Sequence, residues 1–279
     1  MAKAVIDAGF TCPNIDGTKS HGGCIFCDGG SGYFTAEPTV SVTEQIQRET
    51  QRIRAKYPDA LINAYFQAHT NTYADIKTLE RIYREAVDCG VHSISIATRT
   101  DCIDREKIML IKSLGIPATV ELGVQTVHDG TSVGLNSCQS YSYFLSAHFL
   151  LKKYGVRTCV HIINGLPGET EDMMLQTAQM IGRQRPDGVK IHLLHVIDGT
   201  FLHGMYQKGE YTPMEKDRYI EITARQLEYF PPETVIERLT GDGDKSKLIA
   251  PLWSTDKISV LGGIDKYMAE HDIYQGDKF

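Results

Sequence analysis

The sequence predicts an α/β fold whose strands run parallel in one sheet, either doubly wound or curled into a barrel. Three observations indicate this class. Short strands rich in Val and Ile alternate with helices about six times through residue 200, which is typical of buried parallel strands joined by helices. Polar residues cluster directly after several of these strands, where parallel α/β folds build their sites. After about Gly209 the alternation stops and a different pattern begins.

Each element follows from a local pattern. The first predicted helix carries Ile46 and Ile53 seven residues apart, and Thr43 is its expected N-terminal cap. Glycines at 90, 115 and 155 are expected to end three helices. We expect strands at 4–6, 61–66, 92–97, 117–124, 157–163 and 188–196, and helices at 42–57, 74–88, 105–114, 141–154 and 171–183. Then follow an amphipathic helix at 215–230, a strand at 234–239, a loop at 240–247 and a last helix at 255–270.

Composition narrows the functional classes. The 279 residues are 42% hydrophobic and 23% charged, which excludes collagenous, low-complexity and disordered chains. No apolar run approaches the roughly 20 residues of a membrane span, so we expect no membrane partner. The N-terminus lacks the layout of a secretion signal. A net charge of −6 disfavours broad electrostatic binding of nucleic acid but leaves a local basic patch possible.

Three of the seven cysteines are crowded into one loop after the first strand. Cys12, Cys24 and Cys27 follow the spacing C-x11-C-x2-C, and an odd number of cysteines does not suggest a disulfide framework. Structural zinc with His21 as fourth ligand is one interpretation. A thioredoxin-like redox pair is a second, although it leaves Cys12 unexplained. The third is an iron–sulfur cluster with three protein ligands, in which one iron stays open to a substrate or cofactor.

Seven segments in the same order resemble one known family. They read DAGFTCPNIDGT…GGCIFC, AYFQAHTNTY, SIATRTDCI, VELGVQT, HIINGLPGET, KIHLLHVIDGT and ERLTGDG…LIAPLW, and they extend from residue 6 to about 276. The chain resembles the YhcC/YtqA-type family in the Elp-three-like branch of the radical S-adenosylmethionine (radical SAM) superfamily. In that superfamily the usual spacing is C-x3-C-x2-C, and the longer spacing is a variant. Family members carry further residues before the segment at Asp7, so the resemblance predicts a trimmed start.

The resemblance implies a fold and a chemistry. The fold is a partial (β/α)6 barrel of the TIM type at residues 1–208, with the cluster loop at its mouth and a small α+β appendage at 209–279. Cys12, Cys24 and Cys27 would bind a [4Fe-4S] cluster whose open iron is chelated by S-adenosylmethionine (SAM). One electron from the cluster would cleave SAM, and the resulting 5′-deoxyadenosyl radical would take a hydrogen atom from the substrate. A reducing partner such as flavodoxin or ferredoxin and a cytoplasmic location are also expected.

The other segments would then form a cradle for SAM. Phe26 matches an aromatic residue beside the adenine, with a core position as the alternative. Arg99 is expected to bind an anionic group or to pair with Asp101, and Gln125 resembles a glutamine that bonds the ribose. Relatives place an arginine for the SAM carboxylate where this chain has Ser137. The complete expected set for the cofactor is Phe26, Gln67, Thr70, Asn71, Thr98, Arg99, Gln125, His161, Asn164 and Gly165.

The resemblance also suggests a substrate. Members of the YtqA-type branch are associated with maturation of the tRNA wobble uridine, in a step that converts its carboxymethylaminomethyl form to the aminomethyl form. Lys190, His192 and Arg238 are the expected catalytic residues, because a carboxylate on the base suits a pocket with basic groups. A small-molecule substrate is one alternative. A non-catalytic iron–sulfur or electron-transfer protein is the other.

Overall fold

The computed structural model describes residues 1–28, 40–241, 243 and 245–279, so the predicted loop at 240–247 lies partly outside it. The strands are β1 (Ala2–Ile6), β2 (Ile62–Phe66), β3 (Ser93–Arg99), β4 (Ala118–Gln125), β5 (Arg157–Asn164), β6 (Gly188–Leu193), β7 (Val196–Ile197), β8 (Val235–Arg238) and β9 (Leu248–Ala250). The helices are α1 (Val42–Lys56), α2 (Ile76–Asp88), α3 (Arg105–Ser113), α4 (Asp129–Gly134), α5 (Tyr141–Lys153), α6 (Glu171–Gly182), α7 (Phe201–Gln207), α8 (Lys216–Leu227) and α9 (Lys257–Glu270). The main sheet has the strand order β1-β2-β3-β4-β5-β6-β8.

The chain divides into two compact units. Among the described residues, unit 1 takes those within 1–21, 30–123 and 143–158, and unit 2 takes those within 22–29, 124–142 and 159–279. These units do not follow the chain linearly, since each is assembled from three segments. The predicted boundary at residue 208 separates two consecutive segments, which these units do not test, so it stays a prediction.

In unit 1, parallel pairing aligns the carboxyl ends of neighbouring strands. Ile6 pairs with Phe66, and Phe66 with Ile96, so β1, β2 and β3 end side by side. Phe66 meets Tyr83 of α2 edge-on at 5.4 Å between ring centroids, which fixes that helix on the sheet. A segment that follows any of these strands therefore emerges at the same edge.

Glu121 on β4 is a charged residue inside a strand, and the structure shows why it is tolerated. Its side chain is 1% exposed and accepts hydrogen bonds from Lys3 at 2.9 Å and from the Tyr65 hydroxyl at 2.8 Å. A buried carboxylate needs such partners to offset its desolvation. A charged residue inside a strand can belong to a functional site or to a structural ion pair. Glu121 forms a structural ion pair with Lys3.

In unit 2, β5, β6 and β8 form the parallel part. Asn164 pairs with Leu193, and Lys190 pairs with Arg238. The strand predicted at 234–239 therefore joins the main sheet as a seventh strand, although it comes from the C-terminal segment. A short antiparallel pair, β7 with β9, lies beyond the end of β6.

Most predicted elements lie within two or three residues of the observed ones, and the exceptions have local causes. Ser41, not Thr43, caps α1 by accepting from the Glu44 backbone, while Thr43 donates to Glu85. Helices α4 and α7 were not predicted because each is too short to show a helical period. Strand β6 ends at Leu193, short of the expected 196. Across the part of the chain that the structure describes, no helix has the length and apolar character to span a membrane.

Two glycines provide a test of the packing in unit 2. A Cβ at Gly182 would lie 2.0 Å from the carbonyl oxygen of Tyr229, whereas a Cβ at Gly262 would meet nothing within 4 Å. Gly182→Ala should lower the free energy of unfolding by about 1–3 kcal/mol, because α6 must move away from that backbone. Gly262→Ala should raise it by about 0.5–1 kcal/mol through helix propensity alone. Urea-induced unfolding measures both, and equal midpoints for the two variants would contradict the packing.

Candidate cofactor site

The loop that carries Cys12 has a defined internal structure in unit 1. The Cys12 carbonyl accepts from the backbone amides of Ile15 at 2.8 Å and Asp16 at 3.1 Å. The Pro13 carbonyl accepts from the amide of Lys19 at 2.8 Å. These bonds fold residues 12–19 into consecutive turns, so the long spacing before Cys24 begins as an ordered segment.

The same loop is attached to the ends of β2 and β3. The Thr70 amide donates to the Thr11 carbonyl at 3.3 Å, and the Thr18 and Tyr73 hydroxyls lie 2.7 Å apart. Lys19 forms an ion pair with Asp101 at 2.7 Å. Cys12 is therefore held between attachments on both sides of it in the sequence.

Asp101 binds two cations. Arg99 donates to it through Nε at 2.9 Å and Nη2 at 2.8 Å, in addition to the ion pair with Lys19. Burial alone would raise the pKa of Asp101, but the hydrogen bonds from Arg99 and Lys19 lower it below its ordinary value. Burial alone would lower the pKa of Arg99, but the contacts with Asp101 raise it, and the negative charge of a Cys12 thiolate adds to this. Of the two roles expected for Arg99, binding an anionic group or pairing with Asp101, the structure shows the pairing with Asp101.

The segment after β2 holds the predicted residues Gln67, Thr70 and Asn71. The Asn71 amide donates to the carbonyls of Phe66 at 3.1 Å and Ala97 at 2.9 Å, which joins the ends of β2 and β3. Its side-chain oxygen is buried and has no hydrogen-bond partner among the described residues. The backbone amide of Gln67 donates to the Ile6 carbonyl at 3.3 Å.

Thr98, predicted for the cofactor, is engaged inside the protein. It is 5% exposed, and its hydroxyl lies 2.6 Å from that of Thr72, which also donates to the Cys102 carbonyl at 2.7 Å. These contacts fix the end of β3 and the turn that follows it, up to Cys102. The structure thus gives Thr98 a supporting position.

Unit 2 contains the loop with Cys24 and Cys27. The Cys27 amide donates to the Cys24 carbonyl at 2.9 Å, and the Ile25 amide donates to the Leu135 carbonyl at 3.1 Å. The Asn136 side chain donates to the Gly23 carbonyl at 2.8 Å. The turn between the two cysteines is therefore fastened to the segment just after α4.

Phe26 and Ser137, near this turn, both face protein. Phe26 is partly buried and packs against the apolar cluster that includes Leu135, Leu202 and Tyr211. Ser137 is fully buried and hydrogen-bonds Ser132. The serine that replaces the arginine of relatives is thus part of a local polar contact, and nothing in the structure gives it the role of that arginine.

Gln125, the last residue of β4, has an unusual backbone. Its φ of 65° lies in the left-handed region, which is costly for a residue other than glycine, and its side-chain oxygen is buried with no hydrogen-bond partner among the described residues. Thr126 holds the turn by donating to Glu169 at 2.5 Å. Strain together with an unsatisfied buried acceptor is typical of a ligand-binding position.

At the end of β5, two predicted residues are tied to other elements. The side chains of Asn164 and Gln226 exchange two hydrogen bonds, at 2.8 and 2.9 Å, which fastens α8 to this strand. The Gly165 carbonyl accepts from the Tyr211 hydroxyl at 2.8 Å, and its φ of 83° requires glycine. His161, on the same strand, lies 5.2 Å from His192 between ring centroids.

The predicted catalytic residues lie on neighbouring strands. Lys190 on β6 is buried, pairs in register with Arg238 of β8, and has its Nζ 4.0 Å from Glu237. A Cβ at Gly241 would lie 3.5 Å from the His192 ring and 3.4 Å from the His195 ring. Both imidazoles therefore flank one glycine. His195 lies beyond the end of β6, so it does not share a strand with Lys190 and His192.

The chemistry of the residues fits a cluster with SAM, which the structure itself does not contain. None of the seven cysteines is in a disulfide, and the three in the motif are partly exposed. Burial raises the pKa of Cys102 to about 12, which keeps that thiol inert. The buried side-chain oxygens of Gln125 and Asn71 accept no hydrogen bond from the described residues. Within the described ranges, however, no three His, Cys, Asp or Glu side chains are gathered closely enough to hold a metal ion.

Comparisons with known proteins decide the family. Residues 17–181 match the Radical SAM superfamily, and residues 186–270 match the Radical_SAM C-terminal domain. The chain belongs to the radical SAM superfamily. It is 40% identical to YtqA of Bacillus subtilis over 99% of this chain and 87% of that protein. It is 31% identical to YhcC of Escherichia coli over 97% of this chain and 88% of that protein. The family predicted from the sequence is thereby confirmed.

More distant relatives have named activities. A tRNA uridine(34) acetyltransferase of Methanocaldococcus jannaschii is 26% identical over 91% of this radical SAM chain and 54% of that protein. The solved structure of Elp3 from Methanocaldococcus infernus, with an N-terminal deletion, matches with a TM-score of 0.76 at 19% identity, over 99% of this chain and 65% of that one. The chain thus spans roughly half to two thirds of these larger proteins.

The structural comparisons also test the fold and the cofactor class. Streptococcus suis SuiB bound to S-adenosylmethionine matches with a TM-score of 0.56 at 10% identity, over 87% of this chain and 51% of that one. The predicted α/β partial-barrel class is confirmed by these structural neighbours. The predicted cofactors, a [4Fe-4S] cluster and SAM, are those that define the superfamily to which the chain belongs.

Several residues that shape the site were not predicted from the sequence. Lys19 and Asp101 meet although 82 positions separate them, and Asn136 holds the turn at Gly23. Tyr211 supports Gly165 from the C-terminal segment. No local sequence pattern predicts these contacts, because each contact joins segments that are distant in the sequence.

His195 should make the stability of the protein depend on pH. Burial, with a smaller contribution from the charge of Lys257, lowers the pKa of His195 from 6.5 to about 4. In the unfolded chain His195 binds a proton near pH 6.5, whereas in the folded protein it binds one only near pH 4. Stability should therefore fall as the pH drops through this window, by up to about 3 kcal/mol. His195→Gln should remove most of this loss in urea unfolding at pH 7 and pH 5. An unchanged pH dependence in the variant would contradict the assignment.

Proposed function

We propose that the chain is a radical SAM enzyme that holds a [4Fe-4S] cluster through Cys12, Cys24 and Cys27. The observation that carries this proposal is the set of three thiols in the C-x11-C-x2-C motif, in a chain of this superfamily. Three cysteine ligands leave one iron for SAM, unlike the four-cysteine clusters of electron carriers. When bound, the cluster supplies one electron for reductive cleavage of SAM.

The chain's own residues would bind and orient the cofactor. The buried oxygen of Gln125, presented by a strained backbone, is an acceptor for a ribose hydroxyl. The buried oxygen of Asn71 is an acceptor for an ammonium group, and its amide is already used to hold two strand ends. Because both oxygens lack protein partners among the described residues, a ligand that donates to them would remove a desolvation cost.

The cluster proposal can be tested with a matched pair of cysteine variants. Cys24→Ser should bind little iron after anaerobic reconstitution and should form no 5′-deoxyadenosine from SAM and dithionite, because a ligand is lost. Cys138→Ser should behave like the wild type, since Cys138 is exposed and outside the motif. Metal analysis and chromatography of the nucleoside products measure both properties.

The outcomes separate the alternatives that the cysteine motif leaves open. Zinc without iron in anaerobically prepared wild-type protein would support the structural zinc interpretation. Iron without any 5′-deoxyadenosine would support an iron–sulfur protein that does not act on SAM. Equal loss of iron in both variants would show that the cysteine motif does not specify the site.

For the substrate, we propose the carboxymethylaminomethyl uridine at the tRNA wobble position, converted to its aminomethyl form. SAM would supply the two-electron oxidation of the carboxymethyl C–N bond to an imine, and water would hydrolyse that imine, releasing the carboxymethyl group as glyoxylate. Support comes from relatives named for tRNA uridine(34) and from the basic residues on β6 and β8. Lys190 and Arg238 lie opposite each other in register, and the Lys190 Nζ is 4.0 Å from Glu237. Such a pair suits a single carboxylate, which a guanidinium and an ammonium can bind together.

Contacts with the rest of a tRNA would have to be local. The chain is acidic overall, and Arg48 and Arg52 on α1 already pair with Glu44 and Glu49 in the same helix. Lys247 lies 3.3 Å from Asp28. Since paired charges contribute little to phosphate binding, affinity for tRNA should depend mainly on the modified base and on a few cations.

The substrate proposal is tested by mass spectrometry of wobble-uridine nucleosides from cells that lack the protein. Carboxymethylaminomethyl uridine should accumulate and the aminomethyl form should fall. The wild-type gene should restore the pattern, whereas Arg238→Met should not, because the carboxylate loses its guanidinium partner. Lys266→Met is the control, since Lys266 is exposed and lies 3.7 Å from Glu270 in the same helix. An unchanged nucleoside pattern in the deletion strain would refute the tRNA substrate and favour a small molecule.

A further inference from the structure

The loop of residues 11–21 poses a specific structural problem. Eleven residues separate Cys12 from Cys24, against three in the usual motif. A longer connection has more conformations, so it holds its first cysteine less firmly unless other contacts order it. In unit 1 the loop does have such contacts, and one of them involves a buried charge.

Asp101 provides the attachment with the greatest energetic consequence. Its side chain is 1% exposed, whereas Lys19 keeps 32% and Arg99 keeps 8% of its side chain exposed. A carboxylate so deeply buried must be paired. Arg99 donates to both of its oxygens, and Lys19 pairs with the one that accepts from Arg99 Nη2. Arg99 belongs to β3 and Lys19 to the cysteine loop, so the carboxylate joins the loop to the strand.

The other attachments are weaker but point the same way. The hydroxyl contact between Thr18 and Tyr73 and the backbone bond from Thr70 to Thr11 fix the loop at two further points. Lys19 also lies 4.9 Å above the Tyr143 ring, which restricts its side chain. The loop is therefore fastened on both sides of Cys12, with Asp101 as the charged contact.

We propose that Asp101 is a positioning residue for Cys12, which binds Lys19 and Arg99 at once and so holds the cysteine loop against the end of β3. The proposal rests on the proposed function, because it takes Cys12 as a ligand of the cluster. Asp101 would act on Cys12 through Lys19 and Arg99. The residual charge of the three groups is positive, which also suits a site that must accept thiolates and a negatively charged cluster.

Glu121 offers a matched control in the same unit. Like Asp101 it is a buried carboxylate with a lysine partner, but Lys3 and Tyr65 lie on strands and not on the cysteine loop. Asp101→Asn and Glu121→Gln should both lower thermal stability. Only Asp101→Asn should weaken iron binding, by about tenfold in the chelator concentration that removes half of the iron.

Two further measurements keep the test independent of enzyme activity and of overall folding. The amides of Ile15, Asp16 and Lys19 should exchange hydrogen about tenfold faster in Asp101→Asn than in the wild type, and at the wild-type rate in Glu121→Gln. Lys19→Met, at a partly exposed residue, should fold and show the same changes to a smaller extent. Lys19→Arg should largely restore both iron binding and slow exchange, since it retains the ion pair.

The outcomes distinguish this proposal from the proposed function. Equal iron loss in Asp101→Asn and Glu121→Gln would overturn the positioning role, as would wild-type iron binding and exchange in Asp101→Asn. If the wild-type chain binds no iron while Asp101→Asn still speeds exchange in the loop, the proposed function fails. In that case Asp101 is an anchor of the loop, but not of a cluster ligand.

Discussion

The register of the parallel strands is the constraint on which the site depends. In unit 1, Ile6, Phe66 and Ile96 lie side by side, so the segments that follow β1, β2 and β3 leave the sheet at one edge. In unit 2, Asn164 and Leu193 are aligned in the same way. A one-residue slip would move the side chains of each strand to its opposite face. Strand pairing therefore places the cysteine loop, Asn71 and Gln125 at strand ends before any ligand is considered.

Polar side chains then fix the segments that the strands deliver. Asn71 joins two strand ends through its amide, and Asn164 with Gln226 joins a strand to α8. An amide can do this because it offers both donors and an acceptor, and burial makes each missing bond costly. In Asn71 the donors are used by the protein while the oxygen is not. The same side chain can therefore be a structural link and a ligand contact, which a division into core and site residues would miss.

The fold was largely predictable from the sequence, whereas the site was only partly so. Alternation of apolar strands and helices is a local signal, and it located the strands of the main sheet to within a few residues. The seven ordered segments, of which the cysteine motif is one, are also local and identified the family. The pairing of Lys19 with Asp101 could not be predicted, because it depends on where an irregular loop crosses the sheet. The end of β6 at Leu193 was missed for a similar reason, since the apolar pattern continues to Val196 although the pairing changes to the antiparallel β7.

Arg99 and the basic residues of β6 and β8 differ in their ionic partners. Arg99 was a candidate for an anion, but its guanidinium is held by Asp101 in a bidentate pair, and Ser137 is engaged with Ser132. On β6, Lys190 is in register with Arg238 of β8, and its Nζ lies 4.0 Å from Glu237. A bidentate pair at 2.8–2.9 Å leaves little to gain from a new anion. Arg99 is therefore committed to Asp101 and, through Asp101, to Lys19 of the cysteine loop, whereas our proposal gives recognition of a substrate carboxylate to β6 and β8.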